Sequence, residues 1–177
     1  MLYLKKIASL LERINELVGK GVSYLTGALV LLICADVFAR YVFQTTVIWI
    51  VELEIYFFAL IFLMGAGYAF QHDKHVRVDV FYSKAKPKTQ AWVNLIGGIF
   101  FLLPWCIVVL QVGYRYARNS FLINESSPQP GGLSALYLLK SAIFIGFVFL
   151  LLQAIASVIR SLITIFEKES IPLRAID

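Results

Sequence analysis

Four apolar runs, at about Val22 to Val42, Val47 to Phe70, Ala91 to Tyr114 and Leu136 to Ile159, constrain this chain more than any other feature. Each is close to the ~20 residues an α-helix needs to cross ~30 Å of hydrocarbon. Lipid offers no hydrogen bonds to a bare backbone, so runs of this length must satisfy their own peptide groups as helices. Composition agrees: of 177 residues, 60% are apolar and 15% charged, against roughly 25% charged in a soluble domain. So few charges cannot cover a water-exposed surface. The expected fold class is all-α, a polytopic membrane protein whose residues 1–177 form a single four-helix membrane domain.

A fifth helical segment precedes the spans. Leu4, Ile7, Ala8, Leu11, Ile14 and Val18 share one helical stripe, with Lys5, Lys6, Glu12, Arg13 and Glu16 largely elsewhere. Residues 2–18 read as an N-terminal amphipathic interfacial helix, lysines at the headgroups and leucines at the acyl boundary. The alternative is a soluble helix packed on a partner. With this segment ahead of the first apolar run, no cleavable signal peptide is expected. Cys34 and Cys106 fall inside apolar runs and read as buried thiols without disulfide or metal. Pro104 should kink the third span, and Gly97-Gly98 leaves room for close packing.

Orientation follows from the cations. Twelve of the sixteen Lys and Arg residues lie in the N-terminal part, the second loop and the tail; Arg40, Arg115, Arg118 and Lys140 alone lie on the other side. The positive-inside rule then puts both termini in the cytoplasm. The net charge of +5 is thus a matter of topology. Divided among three loops, it does not form the continuous basic stripe of a nucleic-acid partner, so no such partner is expected.

The ionisable residues within the runs lie in one layer. At 1.5 Å per residue, Asp36 is ~21 Å and Arg40 ~27 Å along the first span, while Glu52 is ~7.5 Å and Glu54 ~10.5 Å into the second. Asp36 and Arg40, four apart, share a helix face and can pair. Glu52 and Glu54, two apart, point to nearly opposite sides, so one can meet Arg40 while the other needs a different cation, with Arg115 and Lys140 the candidates. These six residues are expected to form a polar network that fixes helix orientation or joins a partner subunit. A transport site is the competing reading, but transport sites sit near the midplane, where this chain has no ionisable residue.

The stretch Gln71 to Phe81 follows the second span. His72, Asp73 and His75 are a weak metal candidate, lacking a further ligand in a hydrated loop. Val76, Val78 and Val80 alternate with Arg77 and Asp79, yet a lone strand at a membrane surface has no partner, so a turn into a short interfacial segment is expected, with Phe81 and Tyr82 at headgroup level. No span contains a histidine to ligate a haem, and no Ser, His and acid set shares a depth. The chain is not expected to be an enzyme.

Several of these stretches, in this order, resemble the small membrane subunit, or Q component, of tripartite ATP-independent periplasmic (TRAP) transporters. They are Asp36-Val37-Phe38-Ala39-Arg40-Tyr41, Trp49 followed by Glu52 and Glu54, Gly65-Ala66-Gly67-Tyr68-Ala69, and Asp73-Lys74-His75-Val76-Arg77-Val78-Asp79. Two acids are common at the second helix of that family; here Leu53 separates them. The resemblance implies a multi-pass subunit of the bacterial inner membrane, partnered by a large multi-helix M subunit and a periplasmic substrate-binding P protein, for uptake of an organic acid. It implies no cofactor in this chain, with sodium coupling in the large subunit, and a scaffold role for the small one. On location alone, the outer loop Asn119 to Leu133, with Glu125, Ser126 and Gln129, is the candidate contact for the binding protein. Two competing functions are a self-contained four-helix transporter and a membrane assembly protein unrelated to transport.

Overall fold

In the computed structural model, residues 1–72, 82 and 84–166 are described. They form four long helices: α1 (Leu2–Phe43), α2 (Ile48–Gln71), α3 (Pro87–Leu122) and α4 (Leu136–Phe166). All four are long and apolar enough to cross a membrane, and no strand occurs among the described residues. The protein is an all-helical, multi-pass membrane protein. Asp73, His75, the valine alternation from Val76 to Val80, and Phe81 lie outside the described residues.

α4 packs against each of the other three helices. Its buried positions are mostly small, including Ala142, Gly146, Ala154, Ala156 and Ser161. Apolar burial drives little association where the solvent is itself hydrocarbon, so helices gain by approaching closely, and small residues permit that. At Gly146 a β-carbon would lie 2.7 Å from the Leu63 carbonyl oxygen of α2. Gly67 and Gly19 do the same between α1 and α2: a β-carbon on Gly67 would strike Asn15, and one on Gly19 would strike the Tyr68 ring. Within the Gly65–Ala69 stretch, Gly67 and Tyr68 thus form a helix-contact surface, while Gly65 faces open space.

The amphipathic segment and the first span are one uninterrupted helix. Gly19 and Gly21 each cost roughly 1 kcal/mol of helix propensity, but neither has the ring clash that would break a helix. The inward face of this extension is Ala8, Asn15 and Gly19, all buried, whereas Leu4 and Ile7 are exposed. In α3, Pro104 follows directly on a turn of π-helix over Gly98–Leu102. Proline has no N–H to give the carbonyl four residues back, and a π-turn reroutes the ladder around such a gap. Gly98 packs against Val158 of α4, while Gly97 faces open space. Cys106 is buried, but Cys34 is exposed on the bundle surface, contrary to expectation, because it lies on a side of α1 turned away from the other helices.

The chain therefore has two polar ends. At the hairpin end are the connections 44–47 and 123–135; at the terminal end the start of α1 meets the ends of α2 and α4 and the start of α3.

Candidate functional site

At the hairpin end, Asp36 is 3% exposed and accepts a hydrogen bond from Arg40 Nη2 at 2.5 Å, with the guanidinium half exposed. The second carboxylate oxygen of Asp36 is buried without a partner, and so is one oxygen of Glu54 on α2. Glu52 turns instead to the connection between α3 and α4: one of its oxygens accepts from the Ser127 hydroxyl, the other from the Leu133 N–H at 2.6 Å. Lys140, near the start of α4, donates to Glu125 at 2.5 Å and sits 4.1 Å from the centre of the Tyr116 ring. Arg115 is exposed and, among the described residues, makes no ion pair.

Asp36, Arg40, Glu52, Glu54, Arg115 and Lys140 thus occupy one end but do not join into one network within this chain. Arg40 pairs with a neighbour on its own helix, leaving the rest of its guanidinium half exposed. Glu52 sits at the start of α2, within reach of the 123–135 connection, where an N–H and a hydroxyl converge on it. That connection is also closed on itself, Ser127 N–H to Leu133 O at 3.0 Å, Leu136 N–H to Glu125 O at 2.9 Å and Gly132 N–H to Gln129 O at 3.0 Å. Ser126 and Gln129 project from it into the surroundings, while Glu125 is half-buried. The hydrogen bond from Lys140 holds the Glu125 carboxyl below the usual carboxylate range.

Different contacts hold the terminal end, and sequence reasoning missed them. Arg160 of α4 grips Glu12 of α1 through two hydrogen bonds, 2.8 and 2.6 Å. Glu16 meets His72 at 2.9 Å and Lys20 at 3.0 Å, and the His72 contact, then Lys20, holds its carboxyl below the usual range. These partners lie 148 and 56 positions apart, beyond any local spacing rule. His72 is thereby engaged, also lying 4.4 Å from the Tyr68 ring. No three His, Cys, Asp or Glu side chains gather into a metal site among the described residues. Tyr82 accepts a hydrogen bond from Asn94 at its hydroxyl, 2.8 Å, tying the entry to α3 onto that helix. Beside it a cavity of about 320 Å³ is lined by Asn94, Gln153 and Ser157, among others.

Between the two ends no span carries Asp, Glu, Lys, Arg or His. Among the described residues, no nucleophile is paired to a base. The arrangement can hold helices in register and a connection in shape, and it defines a polytopic membrane component. The sequence model for "Tripartite ATP-independent periplasmic transporters, DctQ component" matches residues 29–164. The chain belongs to that family, whose members are small permease components of transporters and not enzymes. The C4-dicarboxylate TRAP transporter small permease protein DctQ of Vibrio cholerae is 27% identical over 95 residues, 54% of this chain and 40% of that protein. The matched stretch thus spans less than half of the curated relative.

Proposed function

We propose that this chain is the accessory scaffold subunit of a sodium-coupled, binding-protein-dependent transporter in a bacterial inner membrane, with both termini cytoplasmic. The observation that carries this reading is the absence of ionisable groups from the middle of every span. A solute path needs polar groups at depth, and here charges occur only at the ends. The solute and sodium sites therefore belong to a large M subunit, and the solute class suggested by the Vibrio cholerae relative is a C4-dicarboxylate. The unpartnered buried oxygens of Glu54 and of Asp36, the latter paired with a half-exposed Arg40, support an interface with that subunit at the hairpin end. An unpaired polar atom in a poorly hydrated layer is costly, so a donor from a neighbouring chain is the natural partner. The pinned connection 123–135, with Glu125, Ser126 and Gln129, is the proposed platform for the periplasmic P protein.

Reconstitution tests the assignment. Sodium-driven uptake should require this chain together with the large subunit and the binding protein; uptake by this chain alone overturns it. Arg40→Ala should reduce co-purification with the large subunit, since it leaves Asp36 uncompensated. An undiminished, equally stable complex would refute the interface.

A further inference from the structure

A groove of about 550 Å³ opens on the surface between α3 and α4 near the hairpin end. Two aromatic contacts between these helices bound it. The Phe121 and Tyr137 rings meet edge-on, 5.2 Å between centres, and one helical stretch deeper the Tyr114 and Phe144 rings meet at 5.8 Å. From Tyr114 to Phe121 the helix rises ~10 Å. Between the two ring pairs the wall drops to Ala117, leaving a slot, and Arg118 stands at its edge. Ser141, which also lines it, spends its hydroxyl on the Tyr137 carbonyl at 2.6 Å.

Among the described residues, the exposed side chain of Arg118 makes no ion pair or hydrogen bond, and the same holds of Arg115 one turn away. The remaining lining is mainly apolar and aromatic, and among these residues Arg118 is the one cation and no carboxylate is present. Its depth matters: Arg118 lies one turn from the end of α3 and Tyr137 at the beginning of α4, so the cation is at headgroup level and the slot runs into the hydrocarbon layer. We propose that this groove is a binding site for an anionic phospholipid, its phosphate on Arg118 and one acyl chain against Ala117 between the aromatic pairs. A guanidinium matches phosphate geometry through two parallel N–H donors. A zwitterionic lipid would bring an ammonium beside Arg118 with no carboxylate in the groove to receive it, so the site discriminates by charge. The proposal is independent of the subunit assignment above.

The test is native mass spectrometry of the purified full chain titrated with phosphatidylglycerol or phosphatidylcholine. Phosphatidylglycerol should bind the wild type more tightly than phosphatidylcholine. Arg118→Gln should weaken phosphatidylglycerol about tenfold, the scale of one charge-assisted hydrogen bond, and abolish the preference. Ala117→Trp should lower occupancy by both lipids, and Arg115→Gln should leave both unchanged. Circular dichroism checks that each variant is folded, and Arg118→Gln, an exposed change, keeps the test decisive if Ala117→Trp is not. Equal binding of the two lipids by the wild type, or unchanged phosphatidylglycerol affinity in Arg118→Gln, overturns the proposal. So does loss of a co-purifying membrane subunit in Ala117→Trp with lipid binding intact, which would mean that a protein helix fills the groove.

Discussion

The two ends of the bundle use charge differently. At the hairpin end Glu52 and the Lys140–Glu125 pair reach from helices into the connection 123–135, and several of the groups are partly or largely buried. At the terminal end Glu12–Arg160 and Glu16–His72 join helix to helix, the carboxylates half-buried and their partners Arg160 and His72 exposed. A hydrogen bond to a buried charge is worth more, and costs more to lose, than an ion pair screened by water. The hairpin end is therefore the rigid one in terms of polar contacts, and the terminal end depends on the packing beneath its charges. Asn15 against Gly67 and Gly19 against Tyr68 supply that packing.

The largest effect should come from the glycine contact between the ends. Gly146→Leu would drive a side chain into the Leu63 carbonyl, and overpacking of this kind costs roughly 1–3 kcal/mol or more. Thermal unfolding in detergent should show a clear drop, and an unchanged midpoint would mean that α2 and α4 do not pack as closely as described. Next comes Glu52→Ala, which leaves the Leu133 N–H and the Ser127 hydroxyl without their acceptor, a loss of about 1–3 kcal/mol. Its effect should be local, read as faster hydrogen exchange across 123–135 with α1 and α4 unaffected. Arg160→Ala should cost no more than about 1 kcal/mol, since the guanidinium it removes is exposed and its pair with Glu12 is screened by water. Were it to cost as much as Glu52→Ala, the contrast between the ends would fail.

The smallest effect is that of pH on the 123–135 connection. Glu125 has a lowered folded-state pKa, so its contact with Lys140 contributes fully above the ordinary carboxylate value and is lost as pH falls through the lowered folded value. Hydrogen exchange there should be unchanged between about pH 7 and 6, apart from intrinsic chemistry, and should accelerate below the usual carboxylate range near pH 4. Acceleration that begins at neutral pH would assign the pinning to another group.

Much of this was legible locally. The Asp36–Arg40 contact follows from four-residue spacing on one helix, and the absence of charge from mid-span is plain in the chain itself. In the N-terminal part of α1, Asn15 and Gly19 turn inward, small residues allowing a closer approach than leucines do, while Leu4 and Ile7 stay exposed. One feature misled. Cys34 shares a hydrophobic run with core positions, yet inside a membrane an apolar residue is equally stable facing lipid, so hydrophobicity does not reveal which side is buried.

Sequence alone determined the four helices, their apolar middles, the layer in which charges occur and the family, because span length, helical spacing and short motifs are local properties of the chain. Only the tertiary structure decided which charges meet. Glu52 finds Leu133 across 81 positions and Arg160 finds Glu12 across 148, and no periodicity specifies such partners. They are chosen by how closely the glycine faces let the helices approach, and hence by which donors arrive within 3 Å of each carboxylate.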